Sequence, residues 1–110
     1  MKREDKRAAV AAYKERKARA GIYVVRCAAT GQQWAGSAPD LATIWNRVSF
    51  ALRQGAQRGT IQAAWRAHGA ESFTFEAVEE LTDEQLVFGR DRMLKERLAH
   101  WCAALPAEAL

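Results

Sequence analysis

The spacing of apolar and polar residues changes period several times along this 110-residue chain, and each change marks an element. Residues 2–20, "KREDKRAAVAAYKERKARA", are almost all strong helix formers, with Glu4 and Asp5 early and Lys14 to Arg19 late, the order that complements a helix dipole. This predicts a basic N-terminal helix over 1–20, ended by Gly21, whose apolar surface is only alanines, Val10 and Tyr13. "GIYVVRCA" then switches to β-branched and aromatic residues, Ala29-Thr30-Gly31 signals a turn, and "QQWAG" resumes, which together predict a β-hairpin. Tyr23, Val25 and Cys27 share one face because side chains alternate along a strand. Pairing Val25 with Trp34 across the turn puts Trp34 on that face too, diagonal to Tyr23.

Helical spacing returns after Asp40, a good N-cap, with Leu41, Ile44, Trp45, Val48 and Leu52 on one stripe that ends near Gly55. Thr60 caps a shorter helix whose stripe is Ile61, Ala64, Trp65 and His68, stopped by Gly69; His68 there reads as a partly buried structural histidine. "SFTFEAVEEL" sets Phe73 and Phe75 against Thr74 and Glu76 and is the third strand. Thr82 and Gln85 form a capping-box pattern that opens a long helix running to about Ala103, before Pro106. The fold class is α+β: a small three-stranded antiparallel sheet, hairpin plus third strand, flanked by helices. The expected layout is a helix over 1–20, one domain over 21–103 and a C-terminal tail over 104–110.

Length allows one domain with one modest core, and an apolar content of 49% is that of an ordinary globular chain. No apolar run approaches about 18 residues, so no membrane span is expected, and the chain reads as cytoplasmic. Cys27 and Cys102, without a CxxC or paired histidines, make no zinc site and read as small packing thiols. Charge changes the picture more. The net +4 divides into +5 over residues 1–20, +4 over 21–70 and −5 over 71–110. A basic front with an acidic tail fits a polyanionic partner, most simply nucleic acid, and fits a solvated basic helix face equally well.

The motifs sharpen that balance. "GIY" on the first strand, "WAGSAPDL" after the hairpin turn, and "IQAAWRAHGAESFTFEAVEEL" further on together resemble the GIY-YIG nuclease superfamily over roughly residues 21–101. The resemblance implies a GIY-YIG-like domain acting on DNA. In that family a divalent metal on a last-helix glutamate, two motif tyrosines and a helix arginine hydrolyse one phosphodiester. A phenol serves as a base only if a cation or metal lowers its pKa, and arginine and metal oppose the charge growing on phosphate.

Carried onto this chain, the resemblance puts Tyr23 at the first tyrosine and Trp34 at the second. An indole donates a hydrogen bond and accepts no proton, so Trp34 reads either as an altered site member or as a packing or base-stacking residue. The arginine and histidine positions fall on Ile44 and Val48, and Arg47, one turn from Ile44, is the substitute electrophile. Glu96 is the expected metal ligand, for Mg²⁺ or Mn²⁺, with Asp91 as its competitor; both equally suit a salt-bridged solvent face. Arg26, Arg53, Arg58 and Arg66 are the expected phosphate contacts. No small-molecule cofactor is expected. Three readings follow: a metal-dependent DNA endonuclease, a catalytically degenerate module that binds nucleic acid without cutting it, and a protein-interaction scaffold with a basic helical arm.

Overall fold

The computed structural model describes residues 19–110, and the helix expected over 1–20 falls almost wholly outside them. In chain order the elements are β1 (Gly21–Cys27), β2 (Gln33–Ala38), α1 (Ile44–Gln54), α2 (Thr60–His68), a 3₁₀ turn (Ala70–Ser72), β3 (Phe73–Glu80), α3 (Asp83–Leu86), α4 (Arg90–Ala104) and β4 (Glu108–Ala109). The class is α+β, as expected, but the sheet has four strands rather than three, in the order β3-β1-β2-β4. Strand β4, inside the expected tail, runs parallel to β2 with Trp34 opposite Glu108 and Ala35 opposite Ala109. It covers backbone groups that would otherwise be an open edge, and the Leu110 N–H donates to the Ala35 carbonyl at 2.8 Å. Two residues are too few for an alternating pattern to announce a strand.

The hairpin has the expected register, with Val25 opposite Trp34 and Tyr23 opposite Gly36. Gly31 closes the turn at φ 77°, a backbone geometry open to glycine, and its N–H donates to the Cys27 carbonyl at 2.8 Å. Two helix boundaries differ from expectation. The Asp40 carboxylate accepts from the Ala42 N–H at 3.0 Å and holds a turn, so α1 proper starts at Ile44. The capping box at Thr82 forms in both directions, yet the helix it opens lasts one turn, because Gly89 at φ 102° breaks the chain before α4. His68, expected to be partly buried, is exposed at the end of α2.

Alternation along β1 gives the sheet two unlike faces. On one, Tyr23, Val25 and Cys27 pack with Trp34, Phe73 and the inner residues of α1 and α2: Val48, Leu52, Ile61 and Ala64. On the other, Ile22 packs with Ala20, Leu81 and Leu94, joined by Val78, Met93, Leu98 and Trp101, so α4 covers this side. Ile22, Val24 and Val25 are fully buried, and each such aliphatic side chain stabilises the fold by roughly 1.5–3 kcal/mol. A bulge shifts the β1–β3 register between Ile22 and Tyr23. The extra residue lets Val78 and Glu79, adjacent in sequence, both serve the α4 side.

Candidate functional site

Tyr23 lies across β2 at Gly36. A Cβ at Gly36 would collide with the Tyr23 ring and hydroxyl, so the absence of a side chain there is what lets the phenol lie over the strand. The ring meets Phe75 at 5.5 Å between centroids, and Phe75 meets Trp45 at 5.5 Å. Only 4% of Tyr23 is exposed, and no described residue hydrogen-bonds its hydroxyl. Burial pushes its pKa above the ordinary value for tyrosine, because the phenolate would lose hydration with no cation to replace it. At neutral pH this group keeps its proton. Ile44 and Val48, which the resemblance sets at arginine and histidine positions, pack in the same cluster. Apolar side chains therefore stand in this cluster where the resemblance implies polar groups.

Trp34 is 1% exposed and sits at the sheet centre, with its ring stacked on Phe73 at 5.8 Å, while Trp65 meets Phe73 at 5.1 Å. The reading of Trp34 as a base-stacking platform is corrected here, since neither face of the indole is open. Its Nε1–H donates to Thr60 Oγ1 at 2.8 Å, and the Thr60 hydroxyl in turn donates to the Glu108 carboxylate. The burial cost of the indole N–H is thereby met at the first residue of α2, where a carboxylate also suits the helix dipole. The expectation that Thr60 caps this helix is corrected, since Gly59 holds the cap position without a side-chain hydrogen bond and Thr60 is the first helical residue. Its tie to Trp34 spans 26 residues, which no local pattern reports.

Nine arginines lie among the described residues, and they divide by location. Arg47 and Arg53 on α1, Arg58 in the connection and Arg66 on α2 are exposed, and none forms an ion pair with a described residue. Arg53 donates to Ser49 Oγ at 3.3 Å, and the Arg66 guanidinium lies close over Gly55 at the C-terminus of α1. Residues 41–70 contain no aspartate or glutamate at all. Asp40, Glu71 and Glu108 are acidic groups at the edges of this layer.

The other five arginines are all paired. Arg26 projects from β1 on the α4 side of the sheet, opposite to Tyr23, and is held by Glu76 at 3.2 Å and Gln33 at 3.0 Å. Arg26, expected among the phosphate contacts with Arg53, Arg58 and Arg66, is aimed by strand alternation to the other sheet face from those three. Glu96, the expected metal ligand, is exposed on α4, paired with Arg92 at 3.5 Å, and separated from Tyr23 by the sheet. Asp91, its competitor, is exposed in the first turn of the same helix and pairs with Arg90 at 3.2 Å. Arg19 bridges to Glu80 at 3.1 Å.

Arg97 donates through Nε to both Glu79 oxygens at 2.8 and 2.9 Å, and the Trp101 indole donates to the same carboxylate at 2.8 Å. Burial pushes the Glu79 pKa up, but the Trp101 and Arg97 hydrogen bonds and the Arg97 charge outweigh it and hold the carboxyl below its usual range. This triad locks α4 to the bulge of β3. No group of three or more His, Cys, Asp or Glu side chains converges among the described residues. The carboxylates expected to hold Mg²⁺ or Mn²⁺ are engaged by arginines on the far side of the sheet, so the side chains present do not fit a metal centre beside Tyr23.

No family model matches the sequence, and no curated protein sequence matches it. Solved structures do. One is the catalytic domain of the homing endonuclease I-TevI, with a TM-score of 0.69 at 23% identity over 83% of this chain and 97% of that one. A variant of the catalytic domain of the same intron endonuclease gives 0.67 at 25% identity over 80% of this chain and 84% of that one.

Proposed function

This chain has the fold of the GIY-YIG nuclease superfamily, and from that premise we propose that it is a DNA-binding module of the family whose hydrolytic centre has been remodelled. The observation that carries the proposal is the α1–α2 layer: four arginines without an ion pair among the described residues and no acidic residue within 41–70, on the sheet face that also carries Tyr23. Unpaired guanidinium groups release counterions from DNA on binding, whereas arginines already neutralised by carboxylates must break an ion pair first. Remodelling is supported by three substitutions that act together. A buried Trp34 cannot accept a proton, and Ile44 and Val48 supply neither electrophile nor acid. Tyr23, with its pKa raised, is a hydrogen-bond donor rather than a base.

Endonuclease activity is the second reading, favoured by one observation: Tyr23 still lies over Gly36 with its hydroxyl free of any described partner, and Arg47 is exposed on the same side. In that reading Tyr23 orients the attacking water and Arg47 opposes charge on the phosphate. Incubating the full chain with supercoiled DNA in Mg²⁺ or Mn²⁺ separates the two. Retarded but uncut DNA supports the binding module. Nicking that is lost in Tyr23→Phe supports the nuclease, and absence of any DNA binding overturns both.

A further inference from the structure

The described surface carries three large exposed hydrophobic side chains, and their surroundings differ. Val87 and Phe88 project at the α3–α4 corner, preceded by Asp83 and Glu84 and followed by the paired Arg90 and Asp91. That corner offers a polyanion nothing. Phe50 on α1 is 61% exposed, and its setting is the reverse. At about 100° per residue, Phe50 lies about 160° from Val48, on the side of the helix away from the core. Arg47 precedes it by three residues and Arg53 follows by three, each about 60° around the axis and close to one turn away. Asn46 and Gln54 complete the exposed arc. The solvent face of α1 is thus one aromatic ring between two unpaired guanidinium groups, flanked by side-chain amides and without an acidic residue.

We infer that Phe50 is a stacking residue for an unpaired base, and that this chain prefers DNA with a single-stranded or unstacked segment to continuous duplex. The inference rests on the DNA-binding reading and goes beyond it by naming the form of DNA recognised. A phenyl ring standing clear of a helix cannot reach the π-face of a base inside an intact duplex, where both faces are covered by neighbouring pairs. It can reach one in a single strand, a flap or a mismatch. Arg47 and Arg53, one turn to either side, are placed to take the phosphates that flank such a base, so the ring fixes the base while the arginines hold the backbone.

The test is fluorescence anisotropy with the full chain, using a labelled single-stranded oligonucleotide and a hairpin duplex of the same phosphate number. Wild type is expected to bind the single strand more tightly. Phe50→Ala and Phe50→Leu should each weaken single-strand binding by roughly 5- to 100-fold, with less than a twofold change on duplex, and Phe50→Trp should restore it. Salt-dependent DNA binding unchanged by Phe50→Ala overturns the inference and leaves the DNA-binding reading standing. Equal losses on both DNA forms, or Phe50→Leu matching wild type, overturn it as well, because a merely apolar contact is then sufficient. A wild-type chain that binds neither DNA removes the reading on which the inference rests.

Discussion

The two layers that cover the sheet both carry arginines, yet they use them differently. On the α4 side and at the sheet margin, Arg26, Arg90, Arg92 and Arg97 each have a carboxylate, and Lys95 is the exposed cation without an ion pair among the described residues there. On the α1–α2 side, Arg47, Arg53, Arg58 and Arg66 have none. The difference teaches that a count of basic residues says little about a binding surface until the acidic residues that reach them are counted as well. In one layer the guanidinium groups are neutralised, Arg97 joining α4 to β3, Arg26 joining β1 to β3, and Arg90 and Arg92 pairing within α4. The other leaves them without an ion pair among the described residues.

Reversing charge on the open layer should have the largest effect. Arg47→Glu with Arg53→Glu is expected to lower DNA affinity by at least two orders of magnitude near physiological salt, because two phosphate contacts become repulsions, while thermal stability stays within about 0.5 kcal/mol of wild type. Anisotropy titration beside a melting curve reads both.

The closed layer should answer the opposite way. Arg97→Ala leaves the Glu79 carboxylate partly buried with only Trp101 and its lesser partners, and is expected to cost about 1–3 kcal/mol of stability with DNA affinity unchanged. This contribution has a pH signature. The folded pKa of Glu79 lies below its unfolded value, so its stabilisation is fully present above the ordinary carboxylate range and is lost as pH falls through the lowered folded value. Denaturant titrations of wild type and Glu79→Gln should therefore differ by a constant amount above about pH 5.5 and converge in acid.

Smaller effects sharpen the distinction between the inside and outside of the open layer. Trp34→Phe keeps the stack on Phe73 but removes the donor to Thr60, and should cost about 1 kcal/mol without changing DNA binding. The smallest effect is expected at the surface pair on α4. Glu96→Ala should shift stability by less than about 0.5 kcal/mol and leave DNA binding unchanged, as measured by the same two assays.

Much of this architecture was legible in the sequence where local pattern decides it. The β1–β2 register followed from the turn and from alternation, and the pairing of Val25 with Trp34 put Tyr23 and Trp34 on one face. The capping box at Thr82 also formed as written. What escaped was non-local. Strand β4 exists because β2 has an open edge, and the split between α3 and α4 depends on a single glycine inside an otherwise helical run. Site residues divided in the same way. Position in the motif placed Tyr23, Ile44 and Val48 in one cluster, but nothing in the order of residues told that Glu76 would engage Arg26, or that the sheet would stand between Glu96 and Tyr23. Ion pairing separates the two sets of arginines, and for Arg26 and Arg97 it crosses elements and is a property of the fold, whereas Arg90 and Arg92 pair within α4.

The salt dependence of DNA binding tests the central claim most directly, measured for the full chain, for the variant with Arg47, Arg53, Arg58 and Arg66 all changed to alanine, and for a control with Arg26, Arg92 and Arg97 changed to alanine. Residues 1–18 contribute the same charge to each protein, so differences report the folded surface. The predicted result is a slope of log affinity against log salt that becomes shallower by roughly 0.9 for each lost duplex phosphate contact in the first variant and is unchanged in the control. Equal slopes in wild type and the first variant, or a slope lost in the control instead, would contradict the assignment of the α1–α2 layer as the DNA-binding surface.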